Sequence, residues 1–273
     1  MLNNDQKSAL KALEKLVLKG KGQGCLLIQG NGGVGKTFLA MQFVLSMLEK
    51  AVENQEPVRI LVTAPTHTAK RVLKSKLPDK AESLLFELNR AGLKSEVAFM
   101  TTAAALSLRL ENDLESGGSF LVSSIGSPRI FNGWNFVVID EGSLLNRRMV
   151  KILKAGLKLK QLPPTLLMGD KAQLPPVRES VSECFELCKD STITLTQQMR
   201  NPGPIESLAN KARETVYYPV GNDHDGEQVF VYNSQDELVE TAKKAFAEAH
   251  ASGKDFSTWA YLSFTNAQVK SVA

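Results

Sequence analysis

Cysteine is scarce in this chain. Three occur in 273 residues, at Cys25, Cys184 and Cys188. Two stand four apart in an apparently helical stretch, and no second pair completes a zinc site. They are expected to be reduced and to act as small buried apolar residues. Long apolar runs are also missing: none approaches the roughly 18–20 residues that a membrane helix needs. The N-terminus, MLNNDQKSALKALEKL, has no uninterrupted apolar stretch of the kind a secretory signal requires. Internal repeats and low-complexity tracts are absent. So is a strong charge of one sign, with 33 basic residues against 29 acidic ones and a net charge of +4. That balance is compatible with a polyanionic partner but does not point to one. With 43% hydrophobic and 23% charged residues, the composition is that of an ordinary globular protein, expected in the cytoplasm and without a membrane partner. The length allows one large domain or two smaller ones, each with its own core.

What is present is alternation. Unbroken apolar runs at Cys25–Gln29, Arg59–Ala64, Phe136–Ile139, Thr165–Met168 and Thr192–Leu195 predict strands covered on both faces. Further strands are expected at Gln228–Val231 and Trp259–Phe264. Between them, Asp5–Lys19, Lys36–Lys50, Leu144–Lys158 and Asp236–His250 carry helical periodicity. Strands alternating with helices predict an α/β fold with a parallel sheet and helices on both faces. Two segments break the rhythm. Residues 108–135 are rich in turn signals and predict a small hairpin-like insertion, and Pro219–Gly226 predicts a polar loop.

The chemistry begins at GNGGVGKT, Gly30 to Thr37, which fits G-x-x-x-x-G-K-[ST] and lies between a predicted strand and a predicted helix. Glycines let backbone N–H groups turn inward around a polyphosphate, and the helix that follows offers its positive end. Lys36 is placed to reach the β- and γ-phosphates of ATP, and Thr37 to ligate Mg²⁺. Gly30, Asn31, Gly32, Gly33, Val34, Gly35 and Phe38 complete the cradle. A second acid must help hold the metal. FVVID ends at Asp140, followed by Glu141; Asp140 would ligate Mg²⁺ through its water shell, and Glu141 would orient or deprotonate the attacking water. A third apolar run leads into GDKAQLPPV, Gly169 to Val177. Strand ends in such sheets converge on the ligand. Gln173 would therefore sense the γ-phosphate, Asp170 would anchor the loop to the metal shell, and Pro175 and Pro176 would stiffen its exit.

With these residues in view, the chain resembles superfamily-1 DNA helicases of the RecD/Dda type. Gly30–Thr37 is similar to that family's motif I, Asp140–Glu141 to motif II and GDKAQLPPV to motif III. APTHTAKR, Ala64 to Arg71, resembles motif Ia, and LTQQMRNP resembles the segment whose arginine, here Arg200, reaches the γ-phosphate. Gln6 stands where the family has an adenine-contacting glutamine, and FTNAQV from Phe264 resembles a stretch of the second motor domain. The resemblance implies a RecA-like P-loop domain over residues 1–196, a small insertion at about 108–135, and the start of a second RecA-like domain over 197–273. It implies an ATP- and Mg²⁺-dependent helicase moving 5′ to 3′ on single-stranded DNA, with single-strand-binding or replication proteins as further partners.

Two departures are visible. Gly142 replaces the usual Val or Ala after the Asp-Glu pair. Where motif Ib often has Thr-x-His, this chain has Thr101, Thr102 and Ala103. Motifs V and VI would lie beyond Ala273, so the chain reads as a truncated product or a partial one. On that reading it binds ATP, shows little DNA-stimulated turnover, unwinds nothing and exchanges amides quickly after about Arg200.

For DNA, the candidate contacts are Pro65, Thr66, His67, Lys70, Thr101 and Thr102. Thr66 to Thr68 fit a helix cap equally well. Arg147, Lys151, Lys154 and Lys158 share one helix face, read as a solvated face before a DNA-binding one. Phe120, Phe131 and Trp134 suit either a strand-separating pin or anchors on the core. Two other readings are a P-loop small-molecule kinase, which does not need GD-x-x-Q-L-P-P, and a non-catalytic nucleotide-dependent scaffold.

Overall fold

In the computed structural model, residues 2–18, 24–112, 119–123, 131–177, 179–199, 209–211, 213 and 234–253 are described. Backbone contacts divide the chain into two compact units, Met1–Asn201 and Pro202–Ala273. The first unit holds a six-stranded sheet of β1 (Cys25–Gly30), β2 (Arg59–Ala64), β3 (Glu96–Thr101), β6 (Phe136–Ile139), β7 (Thr165–Gly169) and β8 (Thr192–Leu195). Their order is β3-β2-β6-β7-β1-β8, and every pairing is parallel. β4 (Leu108–Asn112) and β5 (Ser119–Ser123) form a separate antiparallel hairpin, the insertion expected from the turn signals.

The alternation of side chains along each strand divides the core in two. On one face, Leu26, Ile28, Ile60, Val62, Phe136 and Val138 are covered by α1 (Asn4–Leu18), α2 (Lys36–Asn54), α3 (His67–Lys74) and α4 (Lys80–Arg90). Phe43 of α2 meets Phe136 edge-on, with ring centroids 5.2 Å apart. On the other face, Leu27, Leu61, Val137, Ile139 and Leu167 are covered by Val150 and Leu153 of α6 (Arg147–Lys158) and by Phe185 of α7 (Cys184–Leu187). The short α5 (Thr102–Ala105) precedes the hairpin. Coverage of both faces explains why the central strands are unbroken apolar runs. This is the α/β P-loop architecture expected from the sequence. The strands expected at Gln228–Val231 and Trp259–Phe264 lie outside the described residues.

Three differences matter. The helix expected at Leu144–Lys158 is interrupted: a 3-10 turn runs from Gly142 to Leu144, and α6 starts at Arg147, where the Asn146 side chain caps it by accepting from Met149 N (3.0 Å). Two of the three cysteines expected to be reduced, Cys25 and Cys188, are joined in a disulfide; all three are buried, and Cys184 is a thiol. Finally, Phe131 is buried in the core and Trp134 lies under the Arg59 guanidinium, 4.6 Å from ring centroid to carbon, so both are anchors.

In the second unit, α8 (Gln235–Ala251) matches the helix expected at Asp236–His250 within a residue at each end. Ser234 caps it by accepting from Glu237 N (3.2 Å), and Asp236 and Glu237 suit its positive end. Among the described residues, no helix is long and apolar enough to cross a membrane.

Candidate nucleotide site

Parallel pairing puts the C-terminal ends of β1, β6 and β7 side by side. The glycine loop, the Asp-Glu pair and the GDKAQLPPV segment leave the sheet at that shared edge. After β1 the chain turns through residues 31–35 and enters α2 at Lys36. Gly35 is the cap residue, with φ 85° and ψ 22°. A side chain there would be strained, and its Cβ would lie 2.8 Å from Gln6 Nε2. No side chain caps the helix at Gly35, so α2 turns its positive end towards the loop. Lys36 Nζ donates to Gly30 O (2.7 Å) and Asn31 O (2.9 Å), so its cation is held across the loop itself. Thr37 is half-buried, and Phe38 is exposed at the start of α2.

Gln6 is buried on α1. Its Nε2 donates to Val34 O (3.4 Å), and its Oε1 accepts from Asn3 N (3.1 Å). A second support, which no local sequence pattern signals, comes from the segment after β8. After β8, Thr196 N and Oγ1 donate to Asp5 Oδ2 (3.1 and 2.8 Å), Gln198 Nε2 donates to Gly32 O (3.0 Å), and Met199 N donates to Gly33 O (3.1 Å). The string LTQQMRNP therefore does more than carry an arginine: Thr196 ties it to α1, and Gln198 and Met199 hold the glycine loop. Arg200 lies outside the described residues.

Asp140 is buried at the tip of β6. Its Oδ1 accepts from Glu141 N (2.9 Å), and its own N donates to Thr63 O (3.0 Å). Burial pushes its carboxyl up to about 6, with help from the neighbouring Glu141 charge; the Glu141 amide and the charges of Lys36 and Lys76 pull the other way. Lys76, in the turn after α3, was not singled out from the sequence. A carboxylate is the kind of hard oxygen ligand that Mg²⁺ takes. The raised value also has a cost. Ionising Asp140 in the folded chain is harder than in the unfolded one, so its contribution to stability is complete below pH 3.8 and is lost as pH rises through about 6. The gap corresponds to about 3 kcal/mol. Asp140→Asn should therefore raise the stability of the metal-free protein at pH 8, by up to that amount, with the gain shrinking towards pH 4. Denaturant melts at both pH values check this. Added Mg²⁺ should stabilise the wild type at pH 8 and leave the variant unmoved.

Glu141 sits in a left-handed backbone conformation, φ 53° and ψ 49°, which is uncommon for a residue with a side chain. Its Oε2 is buried and has no hydrogen-bond partner. Left-handed backbone and an unpartnered buried carboxylate oxygen in one residue are features that folds seldom keep for packing alone. The Gly142 departure has a packing reason. A Cβ there would stand 3.2 Å from Met168 O and 3.3 Å from Cys184 Sγ, so Val or Ala would need these neighbours to give by a few tenths of an ångström.

At the tip of β7, Asp170 is buried and shapes its own loop, with Oδ1 accepting from Ala172 N (3.0 Å) and O accepting from Gln173 N (3.1 Å). The Gln173 side chain is exposed, and so are Leu174 and Val177; Pro176 is buried.

Of the residues proposed for DNA, Pro65 is half-buried, Thr66 and His67 are exposed, and Lys70 is half-buried, all at the start of α3. Thr66 Oγ1 caps that helix by accepting from Ala69 N (3.1 Å). Thr101 similarly caps α5 through Ala104 N (3.3 Å). Thr102 must be withdrawn as a surface contact: it is 1% exposed, and its hydroxyl donates to Thr63 Oγ1 (3.3 Å) inside the sheet. On α6, Arg147 Nε (3.1 Å) and Lys154 Nζ (2.9 Å) donate to the two oxygens of Glu183, as a solvated, ion-paired face would.

A family model described as AAA domain matches residues 1–242. The chain belongs to the AAA domain family. No curated protein matches it. Solved structures similar to this AAA domain include a Pif1 helicase from Candida albicans, at 16% identity and a TM-score of 0.47, with 91% of this chain and 55% of that chain covered. Pif1 helicase from Bacteroides in complex with ADP-AlF3 and ssDNA is similar at 13% identity and a TM-score of 0.46, covering 91% of this chain and 57% of that one. The chain thus spans about half the length of these structures.

Proposed function

We propose that this AAA domain binds and hydrolyses Mg-ATP as the first motor domain of a superfamily-1 DNA helicase acting 5′ to 3′ on single-stranded DNA. The observation that carries the reading is Glu141: a strained residue with an unpaired buried carboxylate oxygen, next to a buried Asp140, on the strand edge that also presents the glycine loop. Lys36 and the amides of Gly30–Thr37 would hold the phosphates. Thr37 and Asp140 would hold Mg²⁺, which supplies charge neutralisation for the phosphoryl group. Glu141 would accept the proton of the attacking water. Gln173 would report the state of the γ-phosphate, and Arg200 would add a cation to it. Gln6 would contact the base with the part of its carboxamide left beside Val34 and Asn3. Residues 1–196 would be motor domain 1A, and residues 197–273 would begin the second motor domain; the compact units divide five residues later, after Asn201.

The DNA side of the proposal rests on the exposed N-terminus of α3. Thr66, His67 and Lys70 offer donors and charge where a helix end favours a phosphate. Fluorescence anisotropy of a labelled oligodeoxynucleotide tests it directly. Lys70→Ala should weaken binding and lower the salt slope by about one, whereas Lys158→Ala should change neither. A small-molecule kinase would bind no oligonucleotide and would transfer phosphate to an acceptor other than water. A scaffold would bind both ligands and release no phosphate. Unchanged DNA binding in a Thr66→Ala, His67→Ala, Lys70→Ala triple variant would remove this face from the account.

A further inference from the structure

We infer that Ser143 is a positioning residue of the proposed Mg-ATP site: its buried hydroxyl takes its hydrogen-bond partner from the main chain of the GDKAQLPPV loop when a γ-phosphate draws that loop in. The inference rests on the function proposed above and gives a task to a residue that reading leaves idle. Ser143 is the middle residue of the 3-10 turn Gly142–Leu144, which follows the Asp-Glu pair directly. It is 2% exposed, and its Oγ has no hydrogen-bond partner. The backbone of the turn does find partners, with Leu144 N donating to Glu141 O (2.9 Å) and Leu145 N to Gly142 O (3.0 Å).

Leaving a buried hydroxyl unpaired costs more than an ordinary hydrogen bond contributes. Packing alone would favour alanine at this position. Among the described residues, three buried side-chain polar atoms lack a partner: Asn3 Nδ2, Glu141 Oε2 and Ser143 Oγ. All three belong to the proposed site. Asn3 Oδ1 accepts from Gln6 N (2.8 Å), and Gln6 bonds the glycine loop. The other two stand in and beside the turn after β6. Unmet polar groups gathered at one site are what a fold keeps for a ligand-bound arrangement.

The partner follows from what the turn rests on. Gly142 and Ser143 pack against the end of β7. A Cβ at Gly142 would stand 3.2 Å from Met168 O, and one at Gly169 would stand 3.3 Å from both Ser143 N and the Phe185 ring. Gly169 is the last residue of β7 to pair with β1, and the loop begins there. Asp170 then turns the chain, accepting from Ala172 N (3.0 Å) with Oδ1 and from Gln173 N (3.1 Å) with O. Asp170 is buried, and Gln173 is exposed. The loop is thus a polar segment beside Ser143 that sheet pairing does not fix, and Gln173 is its outer end.

Ser182 supplies the contrast. It is 3% exposed, yet its Oγ donates to Leu145 O (2.6 Å) and accepts from Cys184 N (3.3 Å). Leu145 ends the same turn. One buried serine is satisfied there and the other is not.

The test measures melting and nucleotide affinity for the whole chain and two variants. Without nucleotide, Ser143→Ala should melt about 2–6 °C above the wild type, because it deletes an unpaired polar group. Ser182→Ala should melt lower by a similar amount, because Leu145 O loses its donor. In titrations with Mg²⁺ and a non-hydrolysable ATP analogue, Ser143→Ala should bind about tenfold more weakly than the wild type. Mg-ADP, which lacks the γ-phosphate, should bind the two within about twofold of each other. Ser182→Ala should bind both nucleotides as the wild type does. A Ser143→Ala chain that melts below the wild type, or fails to fold, would show that the hydroxyl already has a partner and would overturn the inference. So would equal affinity of wild type and variant for the ATP analogue, or an equal loss for ADP. A wild-type chain that binds no nucleotide would instead remove the proposed site, and this inference with it.

Discussion

Glu141→Gln should slow phosphate release from Mg-ATP by about 10²–10⁴-fold while leaving Mg-ATP binding within about twofold of the wild type. The carboxylate oxygen Oε2 is buried and without a partner, and the residue's backbone is held at φ 53°. Nothing in the described fold uses that oxygen, so replacing it by an amide removes no structural hydrogen bond. What is lost is a proton acceptor: glutamine has the shape of glutamate but cannot take a proton from water. Steady-state phosphate assays paired with nucleotide titrations separate the two effects. A variant that hydrolyses ATP at the wild-type rate would leave the water to another base.

Lys36→Ala should abolish turnover by removing phosphate binding itself. Charge-assisted hydrogen bonds contribute about 1.5–3 kcal/mol each. Losing two of them to the β- and γ-phosphates predicts a fall in ATP affinity on the order of 10²–10⁴-fold. The same ammonium now donates to Gly30 O and Asn31 O. The variant therefore also frees two loop carbonyls, which weakens the cradle further. Turnover that persists in Lys36→Ala would move the phosphate site elsewhere.

The central sheet was legible because burial on both faces makes a strand a continuous apolar run. Arg59–Ala64, Phe136–Ile139 and Thr192–Leu195 occupy the expected residues, and the Cys25 and Thr165 strands each extend one residue further. β3 escaped because it is an edge strand: EVAFMT is half-buried along most of its length and shows neither a continuous run nor clean alternation. α4 escaped for a related reason. Only Ala81 and Leu88 are buried, and Phe86, off that stripe, is 70% exposed.

The site was legible where its chemistry is local. Glycines, lysine and threonine must be contiguous to wrap a phosphate, and the Asp-Glu pair must end a strand. What could not be read was contact across long sequence distances. Asp5 holds Thr196, Gln198 holds Gly32, and Cys25 reaches Cys188, and no local pattern encodes any of them. Thr102 is the opposite case. Its type and position suited a phosphate contact, yet the pleat of β3 and the start of α5 turn it inward to Thr63.

If three strand ends build one Mg-ATP site, calorimetric titration of the whole chain with ATP, with and without Mg²⁺, will show it. The expected result is a single site that Mg²⁺ tightens, with that tightening lost in Asp140→Asn and the binding itself lost in Lys36→Ala. No measurable ATP binding by the wild-type chain, or binding that survives Lys36→Ala undiminished, would contradict it.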